Sequence, residues 1–269
     1  MAIDCAHEIV GAGPAIFFIH GIGARRSGWA KVVEALRDRY TCVSYDLRGH
    51  GDSPIPEGRT SLEDLVDDLE ALRNGSRIET AHFVGHSLGG MIGPAYARRF
   101  PHRVRTLGLL STAAFRTEDD TRKVKAVVEA MRANGIAETL PTMLARWFTD
   151  AFAAANPEVV ERRLRQVLET DPAVFLNVFD IYAGTEMGPW LSEVSAPSLV
   201  LTGELDGGCS PRLNEQIAQA LPNAKLQVLP GLKHAITLEA PQQVADALTR
   251  FLETQPEADL AAAADGVQR

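Results

Sequence analysis

The feature that most constrains the fold is the pentapeptide GHSLG at residues 85–89, which lies between two segments of different periodicity. The apolar run Ala81–Val84 before it predicts a buried strand, and Leu88–Arg99 after it predicts a helix that ends before Pro101. A serine in such a turn takes a positive φ, and small residues on both sides let strand and helix approach each other. The pattern therefore predicts that Ser87 is presented as a nucleophile at the end of a strand.

Strand and helix patterns alternate along most of the remaining chain. Ala15–His20 is a continuous apolar run that ends in glycine, which is typical of a buried parallel strand. Ser61–Leu72 has a helical pattern that begins with Ser61 as N-cap and Asp64 three residues later. This alternation predicts an α/β fold with a mostly parallel central sheet and helices on both faces. The other predicted strands are Tyr40–Tyr45, Val104–Leu110, Ser198–Thr202 and Leu226–Leu229, and the other predicted helices are Trp29–Arg37, Arg212–Leu221 and Gln242–Leu252.

Residues 112–190 interrupt the alternation, because they contain helical patterns and no convincing strand. We predict that they form a helical lid insertion over the C-terminal edge of the sheet. The core then comprises residues 1–111 and 191–252, and the Ala- and acid-rich residues 253–269 are predicted to form a disordered tail. The predicted helices of the insertion are Lys123–Ala133, Glu138–Phe152, Pro157–Leu168 and Pro172–Tyr182.

A glycine-rich loop, His20-Gly21-Ile22-Gly23, directly follows the first apolar strand. In this position the backbone N–H of Ile22 can lie beside that of Leu88. Two such donors form an oxyanion hole, and removal of one donor typically costs about 10²–10³ in rate. A plain turn between a strand and a helix remains the alternative interpretation of the loop.

Two further residues complete a candidate catalytic set. Asp206 follows the strand Ser198–Thr202, where a carboxylate can orient an imidazole, and we favour it over Glu204 because the extra residues let the chain turn over the sheet edge. Of the seven histidines, His234 alone lies on a loop after the last strand and in the chain order Ser–Asp–His. An acid that only caps a turn is the alternative for the carboxylate, and Cys209 has no activating neighbour in sequence.

Candidate substrate-binding residues are less sharply defined. Arg25 and Arg26 follow the glycine-rich loop, so either guanidinium can reach a substrate carboxylate, unless the pair is simply solvated. Trp147 and Trp190 lie inside and at the end of the insertion, and each is a pocket residue or a core residue. We interpret Asp46–Ser53 (DLRGHGDS) as a structural turn held by an Asp–Arg pair, because it lacks the phosphate-loop patterns.

Composition narrows the class of protein. A net charge of −8 over 269 residues gives no basic footprint for nucleic acid and disfavours anionic membranes. Three widely spaced cysteines without a CxxC pair, and no HExxH, predict no disulfide framework and no metal or other cofactor. The start of the chain lacks a signal-peptide pattern, so we expect a cytoplasmic protein, a monomer or homodimer, whose partner is a small-molecule substrate.

Five motifs in this order resemble the α/β-hydrolase superfamily: HGIG at 20–23, DLRGHGDS at 46–53, GHSLGG at 85–90, GELD at 203–206 and GLKHA at 231–235. The resemblance runs from about Ala15 to Leu252. It implies a triad of Ser87, Asp206 and His234, with Ile22 and Leu88 as oxyanion donors. GHSLGGMIG at 85–93 and Asp171-Pro172-Ala173 are similar to 3-oxoadipate enol-lactonases. Relatives usually have two strands before the HGxG strand, whereas only Cys5–Val10 can supply one here.

The resemblance implies a cofactor-independent serine hydrolase that cleaves a small carboxylic ester or lactone through an acyl-enzyme on Ser87. Hydrolysis of carbon–carbon bonds in meta-cleavage products is the first alternative, because those enzymes share the scaffold and the triad. Perhydrolysis remains open, whereas Ser87 excludes a dehalogenase, which needs an aspartate at that position. A catalytically idle binding protein on the same fold is a further alternative.

Overall fold

The computed structural model describes residues 1–255, in which seven strands form one sheet in the order β1-β3-β2-β4-β5-β6-β7. Strands β2 to β7 run parallel to one another, and β1 pairs antiparallel with β3 at one edge. The predicted α/β fold with a mostly parallel sheet is therefore confirmed. The strands are β1 (His7–Val10), β2 (Ala15–Ile19), β3 (Thr41–Tyr45), β4 (Ala81–His86), β5 (Val104–Leu110), β6 (Ser198–Gly203) and β7 (Ala224–Leu229).

Alternation along β2 shows how the sequence buries both faces of the sheet. Phe17 and Ile19 belong to one hydrophobic cluster, whereas Ile16 and Phe18 belong to the other. Successive side chains of a strand point to opposite faces, so a wholly apolar strand needs helices on both sides. A single strand, β1, precedes β2, as predicted from Cys5–Val10, and it forms this edge of the sheet.

Helices of the core cover the two faces. Residues of α2, α3 and α9 pack in the first cluster, and residues of α1 and α11 pack in the second. Helix α2 begins with the predicted capping box, in which the Ser61 hydroxyl accepts from the Asp64 amide at 3.1 Å. The core helices are α1 (Ala30–Leu36), α2 (Leu62–Gly75), α3 (Gly89–Arg99), α9 (Pro211–Ala220), α10 (Ile236–Glu239) and α11 (Pro241–Glu253).

Between β5 and β6 the chain forms five helices, which we call the helical segment (residues 118–184). The prediction of one helix over Glu138–Phe152 is wrong. The backbone of Phe148 is extended (φ −118°, ψ 147°), and Thr149 starts a new helix by accepting from the Phe152 amide at 3.2 Å. The five helices are α4 (Glu118–Asn134), α5 (Ile136–Trp147), α6 (Asp150–Ala155), α7 (Pro157–Glu169) and α8 (Pro172–Gly184).

The turn at residues 46–53 is structural, but its ion pairs differ from the predicted one. Asp46 accepts from the side chain and backbone of Arg26, and Arg48 instead forms a two-pronged pair with Asp68 of α2 at 2.6 Å. Arg26 is therefore committed to this turn. Glycine is required beside Asp46, because φ at Gly51 is +53° and a Cβ there would lie 2.2 Å from Oδ2 of Asp46.

The C-terminal helix α11 extends to Glu253, the first residue of the predicted tail. Residues 256–269 of that tail lie outside the described part of the chain. Among residues 1–255, no helix combines the length and the apolar character that crossing a membrane requires.

Candidate active site

Ser87 lies in a strained turn between β4 and α3. Its φ is +55°, as the sequence predicts, and its amide donates to the Leu110 carbonyl of β5 at 2.8 Å. The flanking glycines are required, because a Cβ on Gly85 would lie 2.0 Å from the Gly89 carbonyl oxygen. A Cβ on Gly89 would lie 2.2 Å from the carbonyl oxygen of Ile19. The strand, turn and helix therefore approach closely enough to hold the hydroxyl-bearing residue in place.

Asp206 and His234 form a direct pair, with Oδ2 of the carboxylate 2.7 Å from Nδ1 of the ring. The other carboxylate oxygen accepts from the amides of Gly208 and Cys209, at 3.0 and 2.8 Å. Glu204 faces elsewhere and accepts from the Gly231 amide at 2.8 Å. The structure thus brings Asp206, and not Glu204, to His234.

The pair also sets His234 apart electrostatically. Burial is the largest single influence on His234 and lowers its pKa, but the charge of Asp206 and the hydrogen bonds to Asp206 and Cys209 together outweigh burial and raise it. Burial likewise raises the pKa of Asp206, but the charge of His234 and the hydrogen bonds from His234, Cys209 and Gly208 together lower it. Burial dominates at the other buried rings and lowers the pKa to about 4 at His50 and His82 and to about 3 at His86. A carboxylate partner stabilises the positive charge that an imidazole acquires when it acts as a catalytic base. Among these rings, His234 has such a partner.

Ser87, Asp206 and His234 line one cavity, together with residues of the helical segment. The cavity lies between the carboxyl ends of the strands and helices α4, α5, α7 and α8. Most of the side chains that the helical segment contributes to it are apolar or aromatic. Those are Val124, Val127, Met143, Trp147, Phe179 and Tyr182.

The loop at residues 20–23 also lines this cavity, and hydrogen bonds fix its peptide groups. The Gly21 carbonyl accepts from Nδ1 of His20 at 2.8 Å, and the Gly23 amide donates to Nε2 of His50 at 3.1 Å. The Ile22 and Leu88 amides have no acceptor among residues 1–255. Free amides at the two predicted positions are what an oxyanion hole requires.

Arg163 of α7 is a functional candidate that the sequence analysis missed. Its guanidinium donates to the carbonyls of Gly23 and Ile22 at 2.6 and 2.9 Å. It also lies 4.4 Å from the centre of the Trp147 ring. Trp147, which the sequence predicted as a substrate-binding residue, lines the same cavity. Burial lowers the pKa of Arg163 to about 10, which leaves it charged at neutral pH. No sequence signal marks it, because its partners lie about 140 residues away.

The end of α5 holds the loop that carries His234. The Ala235 amide donates to the Trp147 carbonyl at 2.9 Å, and Nζ of Lys233 donates to the Ala145 carbonyl at 2.8 Å. From the other side, Nε2 of His86 donates to the backbone carbonyl of His234 at 2.8 Å. The helical segment therefore contacts both the loop at residues 20–23 and the loop that carries His234.

Two predicted substrate residues have other surroundings than expected. Trp190 does not line the cavity with Ser87, and the prediction for it is wrong: its ring packs under Arg98 of α3, 5.5 Å from the guanidinium carbon. Arg25 does line the cavity, but Glu169 neutralises it at 2.6 Å. Among residues 1–255, Arg146 and Arg163 line the cavity without an acidic partner.

One group of side chains has the composition of a metal site. Ligand atoms of Asp206, Cys209 and His234 all lie within 4.8 Å of one another. The Cys209 thiol also contacts the hydroxyl of Tyr182 at 3.1 Å. In the part of the chain that the structure describes, this is the one such group that we find.

The chain is similar to known proteins in both sequence and architecture. The chain matches the family described as alpha/beta hydrolase fold over residues 14–241. It is 29% identical to 3-oxoadipate enol-lactonase 2 of Acinetobacter baylyi, covering 85% of each protein. A thermophilic esterase from Thermogutta terrifontis, solved with malate bound, is 28% identical, with a TM-score of 0.84 over 93% of each chain. The enol-lactonase from Burkholderia xenovorans is 26% identical, with a TM-score of 0.85 over 93% of this chain and 96% of the other.

Proposed function

Because this chain belongs to the alpha/beta hydrolase fold family, we propose that it is a serine hydrolase that cleaves a small carboxylic ester or lactone through an acyl-enzyme on Ser87. The observation that carries the proposal is the shared cavity of Ser87, at positive φ, and the Asp206–His234 pair. A serine hydroxyl is a weak nucleophile until a base removes its proton, and this cavity supplies a base with an orienting carboxylate.

In the proposed reaction His234 takes the Ser87 proton while Oγ attacks the carbonyl carbon. The negative oxygen of the tetrahedral intermediate accepts from the amides of Ile22 and Leu88. His234 then protonates the leaving oxygen, and afterwards it deprotonates the water that releases the acyl group. Asp206 keeps Nδ1–H in place and stabilises the imidazolium during both steps.

The charge of the cavity indicates a substrate that carries a carboxylate. The protein as a whole has a net charge of −8, yet the charged residues that line the cavity are three arginines and the single acid Asp206. Arg146 and Arg163 have no acidic partner in the described chain. An enol-lactone with a free carboxylate fits this lining, in keeping with the enol-lactonases and the malate-bound esterase to which the chain is similar.

We further propose that the helical segment acts as a lid. It supplies most of the apolar wall of the cavity, so it would exclude bulk water from the acyl-enzyme and strengthen the electrostatic interactions there. The chemistry needs only a small molecule as partner.

The experiment is a comparison of wild type, Ser87→Ala and Cys209→Ser. A fluorophosphonate should add one label to wild type and to Cys209→Ser, but none to Ser87→Ala. On a panel of p-nitrophenyl acetate, a carboxylate-bearing enol-lactone and a meta-cleavage dienoate, Ser87→Ala should lose roughly 10⁴-fold or more in kcat.

The panel separates the alternatives. Fast turnover of the enol-lactone supports the proposal, and turnover of the dienoate alone supports carbon–carbon hydrolysis. A label on Cys209 would assign the nucleophile to the thiol. Absence of both label and turnover in wild type would point to a binding protein.

A further inference from the structure

The thiol of Cys209 has no role in the proposed hydrolysis, although it lines the same cavity. Its side chain is 1% exposed and contacts the Tyr182 hydroxyl at 3.1 Å. Ligand atoms of Cys209, Asp206 and His234 lie within 4.8 Å of one another. Two ligands of a typical zinc site are separated by less than twice the Zn–S bond of about 2.3 Å, so small adjustments bring these three atoms around one ion.

We propose that Asp206, Cys209 and His234 form a three-ligand site for Zn²⁺, and that its occupation inhibits the hydrolase. Inhibition rests on the proposed function, because the ion would take two residues of the triad. Binding of the ion does not rest on it. Three protein ligands with an open position towards the cavity is the arrangement that zinc takes when water or another small ligand completes the coordination.

The backbone already holds the chelating turn in place. Asp206 Oδ1 accepts from the amides of Gly208 and Cys209, so the carboxylate and the thiol three residues later are parts of one rigid turn. The Cys209 carbonyl in turn accepts from the Thr202 hydroxyl at 3.0 Å and from the side-chain Nδ2 of Asn214 at 2.8 Å. His86 fixes the histidine loop from the other side. Little conformational entropy remains to be lost on binding.

The charges also balance. A thiolate and a carboxylate together carry −2, which one divalent cation neutralises. When the Zn–S bond forms, the thiol proton passes to water, as does the second proton of His234 if the ring is an imidazolium. The Tyr182 hydroxyl can donate to the thiolate, which is the kind of outer contact that orients metal ligands. Mg²⁺ prefers oxygen ligands in octahedral geometry and should not compete.

The first measurement is binding of Zn²⁺ to the Ser87→Ala protein, which keeps all three ligands and is independent of activity. Competition with a chromophoric chelator should give one tight zinc per chain. Cys209→Ser in the same background should weaken binding by at least about tenfold, the effect of losing even an outer contact of a metal site. Cys42→Ser is the matched control, since Cys42 is a buried thiol in β3 away from the cavity.

Two further measurements guard against a misfolded variant. Co²⁺ in place of zinc should give a thiolate-to-cobalt charge-transfer band in Ser87→Ala, and His234→Gln should also weaken the binding. In the active protein, zinc at about ten times its Kd should lower kcat/KM by about tenfold, whereas magnesium should not. EDTA should restore kcat/KM, and Cys209→Ser should resist the inhibition.

The outcomes distinguish the two proposals. Tight zinc binding that depends on Cys209, in a protein without hydrolase activity, keeps the metal site and rejects the function. Hydrolysis that is insensitive to zinc, with no tight zinc in Ser87→Ala, rejects the metal site and keeps the function. Binding that survives Cys209→Ser or disappears in Cys42→Ser also overturns the proposal.

Discussion

At the scale of single residues, chain order and loop position predicted which carboxylate and which imidazole lie together. His234 follows the last strand, and Asp206 follows the strand before it. Their contact at 2.7 Å agrees with that prediction. What the sequence could not show is the neutralisation of Arg25 by Glu169, because the two residues are 144 positions apart. Long-range ion pairs leave no local pattern, so only the folded chain shows which arginines have an acidic partner.

The Asp206–His234 pair predicts a specific pH dependence of catalysis. The proposed hydrolysis needs a neutral His234, so kcat/KM should rise with pH through the His234 pKa of the free enzyme. Asp206 raises that pKa, and Asp206→Asn removes the charge. The variant should therefore show its rise at lower pH than wild type, with a plateau on the order of 10⁴-fold lower because the imidazole tautomer is no longer held.

The check is a pH–rate profile of both proteins on a neutral ester, with Glu204→Gln as the control. Glu204 accepts from a backbone amide and does not touch His234, so its profile should superimpose on wild type. A rise that moves to higher pH in Asp206→Asn would contradict the assignment of the base.

At the scale of elements, periodicity predicted every strand from β2 to β7 and most helices, with bounds shifted by a few residues. It failed at residues 138–152, where a continuous helical pattern hides the break at Phe148. The break has a tertiary cause: the Thr149 amide and hydroxyl both donate to Glu239 of α10, at 2.7 and 2.8 Å. A contact with a residue 90 positions away outweighs local propensity.

Through Arg163, helix α7 contacts the loop at residues 20–23, which carries one of the two proposed oxyanion donors. The guanidinium bonds two loop carbonyls and stacks on Trp147, whose own carbonyl holds the histidine loop. We expect Arg163→Met to lower kcat by about 10–100-fold on a neutral ester, with a smaller change in KM, because misplacing one oxyanion donor costs up to about 10²–10³. Arg163→Lys should recover part of the loss.

Arg165→Met is the matched control on the same helix, since Arg165 pairs with Glu161 at 3.0 Å on the exposed side. Its kcat and KM should equal those of wild type. Equal losses in both variants, or a loss in Arg163→Met confined to KM, would show that Arg163 does not position the loop.

At the scale of the whole molecule, the distribution of charge is the property that sequence composition conceals. A chain with a net charge of −8 surrounds a cavity whose unpaired charges, in the described chain, belong to Arg146 and Arg163. Net charge therefore predicted the absence of a nucleic-acid footprint, but it could not indicate the sign of the local field at the site. Only the folded chain brings these two cations, from α5 and α7, to one wall.

A buried ion pair, together with one backbone hydrogen bond, joins three distant parts of the chain. Arg48, in the turn after β3, is 5% exposed at its side chain and forms two bonds of 2.6 Å with Asp68 of α2, which is 2% exposed. Asp68 also accepts from the amide of Ile3 in the N-terminal segment at 2.8 Å. Breaking a buried pair leaves a charge without its partner, which typically costs about 3–5 kcal/mol of folding free energy.

We therefore expect Asp68→Asn to lower the melting temperature by roughly 10 °C, since about 1 kcal/mol shifts the midpoint by about 2–4 °C in a chain of this size. Asp67→Asn is the neighbouring control: its carboxylate pairs with Arg99 at 2.6 Å, with side chains 38% and 50% exposed. An exposed pair contributes at most about 1 kcal/mol, so the control should melt within a few degrees of wild type. Calorimetry at one scan rate compares the three proteins. If both variants melt alike, the Arg48–Asp68 pair does not hold the N-terminal segment to the core, and the stability of that edge must come from the apolar contacts beneath it.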